Sequence, residues 1–184
     1  MIKKIFILSI FILLFVLVST CFAAPTNNQL TKRIISVVYD DSYSMTKSIP
    51  FPDKQDDQYA MYALENVIGF TNNNDEVNIV RMSKKNDYKT YNVENVEAKK
   101  NSIAEVASWN TYATETPFQA IETAISFLKD KKEQYETVEN IEYWLLVLTD
   151  GDLEGKPSNV KEYFDNVGND MSDVKYGMVI QQMF

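Results

Sequence analysis

Two runs in this chain are almost wholly apolar, residues 34–39 (IISVVY) and 143–148 (YWLLVL), and each leads into acid: Asp40 follows the first and Asp150 lies just beyond the second. Runs this short and continuous read as strands covered on both faces, because a strand with one wet face would alternate apolar with polar. Covering both faces requires helices, and the intervening sequence supplies their spacing. Ala60, Ala63, Leu64, Val67 and Ile68 fall on one stripe of a helix that ends near Gly69. A weaker helical pattern covers residues 98–108. A better one starts at Pro117, a favourable first helical residue, with Phe118, Ile121, Ile125 and Leu128 on one face. Val160, Tyr163, Phe164 and Val167 make another before Gly168. Further strands are expected over residues 77–82 and 174–180, with a more exposed, alternating one over 88–93. Strands interleaved with helices predict an α/β fold: a Rossmann-like, doubly wound, mainly parallel sheet flanked by helices. In such sheets ligands bind beyond the carboxyl ends of the strands, where the strand order reverses. The two aspartates are expected at those ends.

The first residues stand apart from this pattern. Lys3 and Lys4 precede an apolar stretch from Ile5 to Val18, and small residues follow up to Ala23 and Ala24. That is the layout of a secretory signal peptide, residues 1–23, and the apolar core is shorter than the roughly 20 residues needed to span a bilayer. Membrane association is therefore expected only through the signal or a larger assembly. Val18 to Cys21 faintly resembles a bacterial lipoprotein signal, although Thr20 precedes the cysteine where Gly, Ala or Ser is usual. Residues 24–33 read as a polar leader, and residues 34–184 suit one domain with a sizeable core. Cys21 is the only cysteine, so the exported chain would enter an oxidising compartment with no thiol to pair. Loss of Lys3 and Lys4 takes the formal charge from -8 to -10, since residues 1–23 hold no acid. So acidic a surface excludes nucleic acid as a partner and leaves divalent cations and basic proteins.

The sequence contains no histidine. That excludes Ser-His and Cys-His nucleophile systems and histidine-built zinc sites. Any metal here would be held by oxygen, which favours Mg²⁺, Mn²⁺ or Ca²⁺. Oxygen is concentrated at three places: Asp40, Ser42 and Ser44 after the first strand, Thr116 before the Pro117 helix, and Asp150 after the strand over 143–148. Each has a simpler explanation. Ser42 and Ser44 suit a local turn, Thr116 to Gln119 is a capping box, and Asp150 with Gly151 is a turn.

Taken together, DDSYSM, TETPFQAI and LLVLTDGD resemble the von Willebrand factor A (VWA) domain with its metal-ion-dependent adhesion site, whose pattern is DxSxS, then Thr, then Asp. NNNDEVNIV is similar to that family's turn and second strand. The resemblance spans residues 34 to about 180 and is that of a bacterial exported type. It implies a cation, Mg²⁺ or alternatively Mn²⁺ or Ca²⁺, approached by the hydroxyls of Ser42, Ser44 and Thr116 and bound directly or through water by Asp40 and Asp150. Neutral hydroxyls leave the cation's charge incompletely neutralised, so a carboxylate from a protein or other ligand can complete its shell. Three departures matter. Tyr43 stands where the family most often has Gly. Glu115 and Asp41 place extra acids nearby, where they would compete for the cation or repel an acidic partner. Only four residues follow position 180, whereas the family normally adds a helix, a sixth strand and a final helix; the resemblance thus implies a domain short of its carboxyl-terminal elements. Asp53, Asp56, Asp57, Asp152 and Glu154 read as solvated loop charge rather than a second ion site.

The expected function is a non-enzymatic, secreted or cell-surface adhesion module that binds its partner through the cation. An alternative is a Mg²⁺-dependent phosphatase of the aspartyl-phosphate type, but those usually carry a general acid two residues after the nucleophile, and that position is Ser42. A truncated structural remnant is the third reading.

Overall fold

A computed structural model of the chain describes residues 31–42, 59–109, 114–149, 153–171 and 174–180. The expectations placed on residues 1–30, on Tyr43, Ser44, Asp53, Asp56, Asp57, Asp150 and Asp152, and on residues 181–184 lie outside that set.

The elements run β1 (Lys32–Tyr39), α1 (Tyr59–Gly69), β2 (Glu76–Arg81), β3 (Lys89–Tyr91), α2 (Val96–Ala107), α3 (Gln119–Gln134), β4 (Ile141–Thr149), α4 (Val160–Asp170) and β5 (Val174–Ile180). The five strands form one sheet in the order β3-β2-β1-β4-β5. Every pairing is parallel except β2 with β3. That exception follows from chain length: a single 3-10 turn, Met82–Lys84, and a few further residues join the two strands, too little for the crossover a parallel pair needs. The strand expected over 88–93 is shortened accordingly to Lys89–Tyr91.

β1 explains why its sequence is apolar without a break. Ile34 and Val38 pack into a cluster with Phe118, Ile121, Ile125 and Leu128 of the α3 segment and Val167 of α4. Ile35, Val37 and Tyr39, the alternate residues, pack into a second cluster with Leu64 and Ile68 of α1 and Val106 of α2. Each face of the sheet thus carries two helices, the doubly wound arrangement. Burial of a side chain such as Ile34 or Leu128, both essentially inaccessible, stabilises the fold by roughly 1.5–3 kcal/mol.

Some boundaries differ from expectation for local reasons. β1 begins at Lys32, so the last two residues of the expected leader are strand, and Lys32 N donates to Asn140 O at 3.1 Å to close the pairing with β4. α2 starts ahead of Ala98 because Asn95 is its N-cap, accepting a hydrogen bond from the Ala98 amide. α3 is regular from Gln119, though Phe118 is already helical in its dihedrals and the Ala120 amide donates to Pro117 O at 3.1 Å.

One polar pair interrupts the core. Ser36 and Asn78 face each other across β1 and β2, both wholly buried. Among the described residues, neither the Ser36 hydroxyl nor either polar atom of the Asn78 amide has a hydrogen-bond partner.

The chain leaves β1 to build β2 and β3 on one side and returns to β4 on the other. The strand order therefore reverses between β1 and β4, and the crevice at their carboxyl ends is the place where this fold takes ligands.

Candidate metal centre

The register sets the carboxyl ends of β1 and β4 side by side. Tyr39 pairs with Leu148 on one side and Arg81 on the other. The Asp40 amide donates to Leu148 O at 2.9 Å, extending the ladder by one residue and setting Asp40 beside Thr149. Asp150, the next residue along, lies outside the described set. Asp40 is fully buried, yet its carboxylate is hydrogen-bonded on both oxygens: Oδ1 accepts from the Ser42 amide at 3.0 Å, and Oδ2 accepts from Thr149 Oγ1 at 2.7 Å. The first is the local turn bond of an Asp two residues ahead of an amide. It holds Ser42, also buried, against the aspartate.

Asp41 points elsewhere. Its Oδ2 accepts from Arg81 Nε at 2.9 Å, and Oδ1 accepts from the Ser83 amide at 2.8 Å; the Ser83 hydroxyl also donates to Oδ2. The carboxylate is inaccessible to solvent and bound to the end of β2. The expectation that Asp41 would compete for a cation is therefore corrected: its charge is offset by Arg81. Glu115, the other extra acid, lies exposed 3.6 Å from Lys85, a contact worth little in solvent. Tyr39, beside these groups, is pushed up to about 12 by burial first and then by the Asp41 and Asp40 charges, which Arg81 only partly counters. Its phenol stays neutral.

Thr116 arrives by a different route. Pro117 forms a parallel bridge with Glu154; the Glu154 amide donates to Thr116 O and the Phe118 amide to Glu154 O, both at 2.8 Å. This splice binds the Thr116 segment to the chain that leaves β4, only a few residues after Asp150. Thr116 is buried. Phe118, assigned as the N-cap of α3, is already helical in its dihedrals and has no side-chain cap, so the first turn begins close behind Thr116.

The structure thus brings Asp40 and Ser42 into direct contact and ties the Thr116 segment to the exit of β4. Ser44 and Asp150 are outside the described residues. Among the described residues, no three acidic side chains gather so as to hold a metal ion. What the described residues bring together is one buried carboxylate with the hydroxyl-bearing residues Ser42 and Thr149, and oxygen donors of this kind suit a hard, oxygen-seeking cation. Thr149, Arg81 and Ser83 went unnoticed in the sequence. Thr149 had one signal, its place next to Asp150 in LLVLTDGD; Arg81 and Ser83 had none, because their partner is some forty positions away.

No protein-family model matches the sequence, and no curated protein matches it. Solved structures do. The chain is similar to the manganese-loaded TRAP protein of Plasmodium vivax, with a TM-score of 0.50 and 12% identity over 82% of this chain and 58% of that one. It is also similar to proximal thread matrix protein 1 of the mussel byssus, with a TM-score of 0.50 and 14% identity over 81% of this chain and 39% of that one. The chain therefore spans little more than half of the first protein and well under half of the second. At such identities the likeness speaks for architecture alone, and in architecture the chain has the fold of a VWA domain.

Proposed function

We propose that the protein is an exported, non-enzymatic adhesion module that holds a divalent cation at the carboxyl ends of β1 and β4 and uses it to bind an acidic group of a protein partner. The observation that carries this reading is Asp40: a carboxylate buried at the switch point of the sheet, hydrogen-bonded by the Ser42 amide and the Thr149 hydroxyl. These two donors fix the orientation of the carboxylate at the carboxyl end of β1. Asp40 and Asp150 with the hydroxyls of Ser42, Ser44 and Thr116 would hold the cation, Mg²⁺ or Mn²⁺ before Ca²⁺. Bound there, the cation supplies a positive charge that a partner's carboxylate can meet. The manganese-loaded neighbour of the same fold supports a divalent ion. Export through the amino-terminal signal and presentation at the cell surface complete the reading.

An aspartyl-phosphate enzyme would need a proton donor where Ser42 stands, and the Ser42 amide there serves Asp40. Binding is accordingly preferred to catalysis. The test is isothermal titration of the purified protein with MgCl₂ and MnCl₂. Saturable binding that disappears in Asp40→Ala is expected; no binding at millimolar metal, or binding unaffected by the substitution, sinks the reading.

A further inference from the structure

A cleft of about 290 Å³ is lined by residues of β2, β3, their connection and α2, and the metal reading makes no use of it. Arg81, Lys84, Lys89, Tyr91, Glu105 and Trp109 are among the residues that line it. Arg81 is its most constrained member. One edge of the guanidinium is fixed, Nε donating to Asp41 at 2.9 Å. One face is also fixed, with Cζ 4.6 Å from the centroid of the Trp109 ring. Trp109 is itself held by ring contacts with Tyr39 and Tyr91 at 5.7 and 6.3 Å. The two Nη atoms of Arg81 make no hydrogen bond among the described residues, although the side chain is only 19% exposed. A guanidinium pinned by one edge and one face has already lost its rotamer freedom, and its remaining fork of N–H donors matches a carboxylate.

The other charges of the cleft balance, Lys84 and Lys89 against Asp87 and Glu105, so its preference is set by which donors are unbonded. Glu105 is engaged by Lys89 and by the Tyr91 hydroxyl, the latter at 3.3 Å. Lys84 has no ion-pair partner among the described residues. The remaining acid, Asp87, is exposed, where solvent and salt screen it. Arg81 is already charge-paired with Asp41, so what it offers is the geometry of its two Nη donors, which make no hydrogen bond among the described residues, with the Lys84 ammonium nearby.

We propose that this cleft is a carboxylate-binding subsite that takes a Glu or Asp side chain of a protein partner in the fork of Arg81, with Lys84 as the second cation. The subsite is built from the protein's own residues and does not depend on a bound metal. Where both sites operate, the partner offers two acids, one to each. A neutral saccharide is the competing occupant, since Tyr91 and Trp109 provide ring faces; it would not match the parallel pair of N–H donors that Arg81 presents.

The experiment is a ¹H–¹⁵N titration of the purified protein in EDTA with N-acetyl-glutamate amide, N-acetyl-glutamine amide and methyl glucoside. The reporter is the indole N–H of Trp109, told apart from that of Trp144 by Trp144→Phe. The glutamate probe is expected to shift the Trp109 signal saturably and the other two to leave it in place. Arg81→Lys, which keeps the charge and loses the fork, should weaken binding roughly tenfold, and Lys84→Gln about threefold. Lys84→Gln touches no hydrogen bond, so it reads the subsite even if Arg81→Lys unfolds. Equal shifts from the glutamate and glutamine probes, a response to methyl glucoside alone, or unchanged affinity in Lys84→Gln overturns the proposal. Because metal is chelated throughout, a failed metal titration leaves this result standing, and the reverse holds too.

Discussion

The two ends of the sheet bury acids in opposite ways. At the amino end, Glu76 receives Lys32 and Lys131, both at 2.7 Å, together with the Tyr135 hydroxyl. Next to it Asp75 is held by the Arg33 side chain and amide and by the Asn72 amide. Burial would raise Glu76, but the hydrogen bonds from Lys131, Lys32 and Tyr135 win and hold it at about 2. At the carboxyl end, Asp40 takes its described hydrogen bonds from a backbone amide and a hydroxyl. Opposite charges cancel an acid and finish its chemistry; neutral donors orient the acid. The amino end is therefore held by ion pairs, whereas at the carboxyl end a backbone amide and a hydroxyl orient Asp40.

Asp41 sharpens this contrast, because it belongs to the carboxyl end by position and to the structural class by its contacts. Asp41→Ala would leave the Arg81 guanidinium largely buried beside Trp109 with its ion pair broken. A loss of about 3 kcal/mol is expected, as for other buried pairs deprived of one partner. Urea unfolding measures it, and magnesium titration of the same variant should show affinity within a few-fold of wild type. A cost below about 1 kcal/mol, outside the range for breaking such pairs, would put Asp41 with Asp40 rather than with the amino-end acids.

Thr149→Val removes the hydroxyl from Asp40 while keeping nearly the same shape. Divalent affinity should fall roughly tenfold, the scale seen when a residue supporting a metal ligand is removed. The metal-free protein should lose about 1.5–3 kcal/mol, the worth of one buried hydrogen bond to a charged group. Calorimetry in the presence and absence of MgCl₂ separates the two effects. A large stability loss with unchanged metal affinity would make the Thr149 bond structural, which erases the difference between the ends.

Glu76→Gln tests the amino end by pH. The Glu76 pKa falls from 4.5 to about 2 in the folded protein, so its contribution is fully present above about pH 4.5 and is lost as pH drops towards 2. Allowing for partial exposure, the variant should be about 1 kcal/mol less stable at neutral pH. The gap between the two melting temperatures should close on acidification, with metal binding unaltered. A gap that stays constant into that range would show that shape, not charge, accounts for the effect.

How far the sequence predicted these features depended on how local they were. The apolar runs of β1 and β4 and the helical stripe at Leu64 and Ile68 each repeat a pattern many times, so the elements, their order and the two-sided core were readable. The end of β1 at Asp40 was readable for the same reason, since a polar residue stops an apolar run. The clamp of Arg81 and Ser83 on Asp41 joins positions some forty residues apart, and only the register of β1 against β2 makes it. The antiparallel turn of β3 was likewise decided by tertiary fit. The splice of Pro117 to Glu154 leaves no mark in composition at all. Ser36 and Asn78 were concealed for the opposite reason: a single polar residue does not break an apolar pattern, and both were read as part of one.

That pair lies midway between the two ends and belongs to neither. Asn78 is wholly buried opposite Ser36, and its amide nitrogen and oxygen both lack partners among the described residues, as does the Ser36 hydroxyl. Its immediate company includes Val80 along β2 and the cluster beneath α3. A buried amide that forms no hydrogen bond gives up its hydration for nothing, while an aliphatic side chain of similar size gives up nothing and gains contact with the same neighbours. Asn78→Leu should therefore stabilise the protein by about 0.5–1 kcal/mol, less than the full desolvation penalty because leucine must fit a branch into space shaped for an amide. Chemical denaturation measures the change, and Ser36→Ala in the same background should add little, because that hydroxyl has no bond to lose. If Asn78→Leu instead lowers stability while leaving divalent affinity untouched, the amide is satisfied from within the core by ordered water; if it lowers both, the middle of the sheet communicates with Asp40 and the separation between structural and ligand-binding regions does not hold.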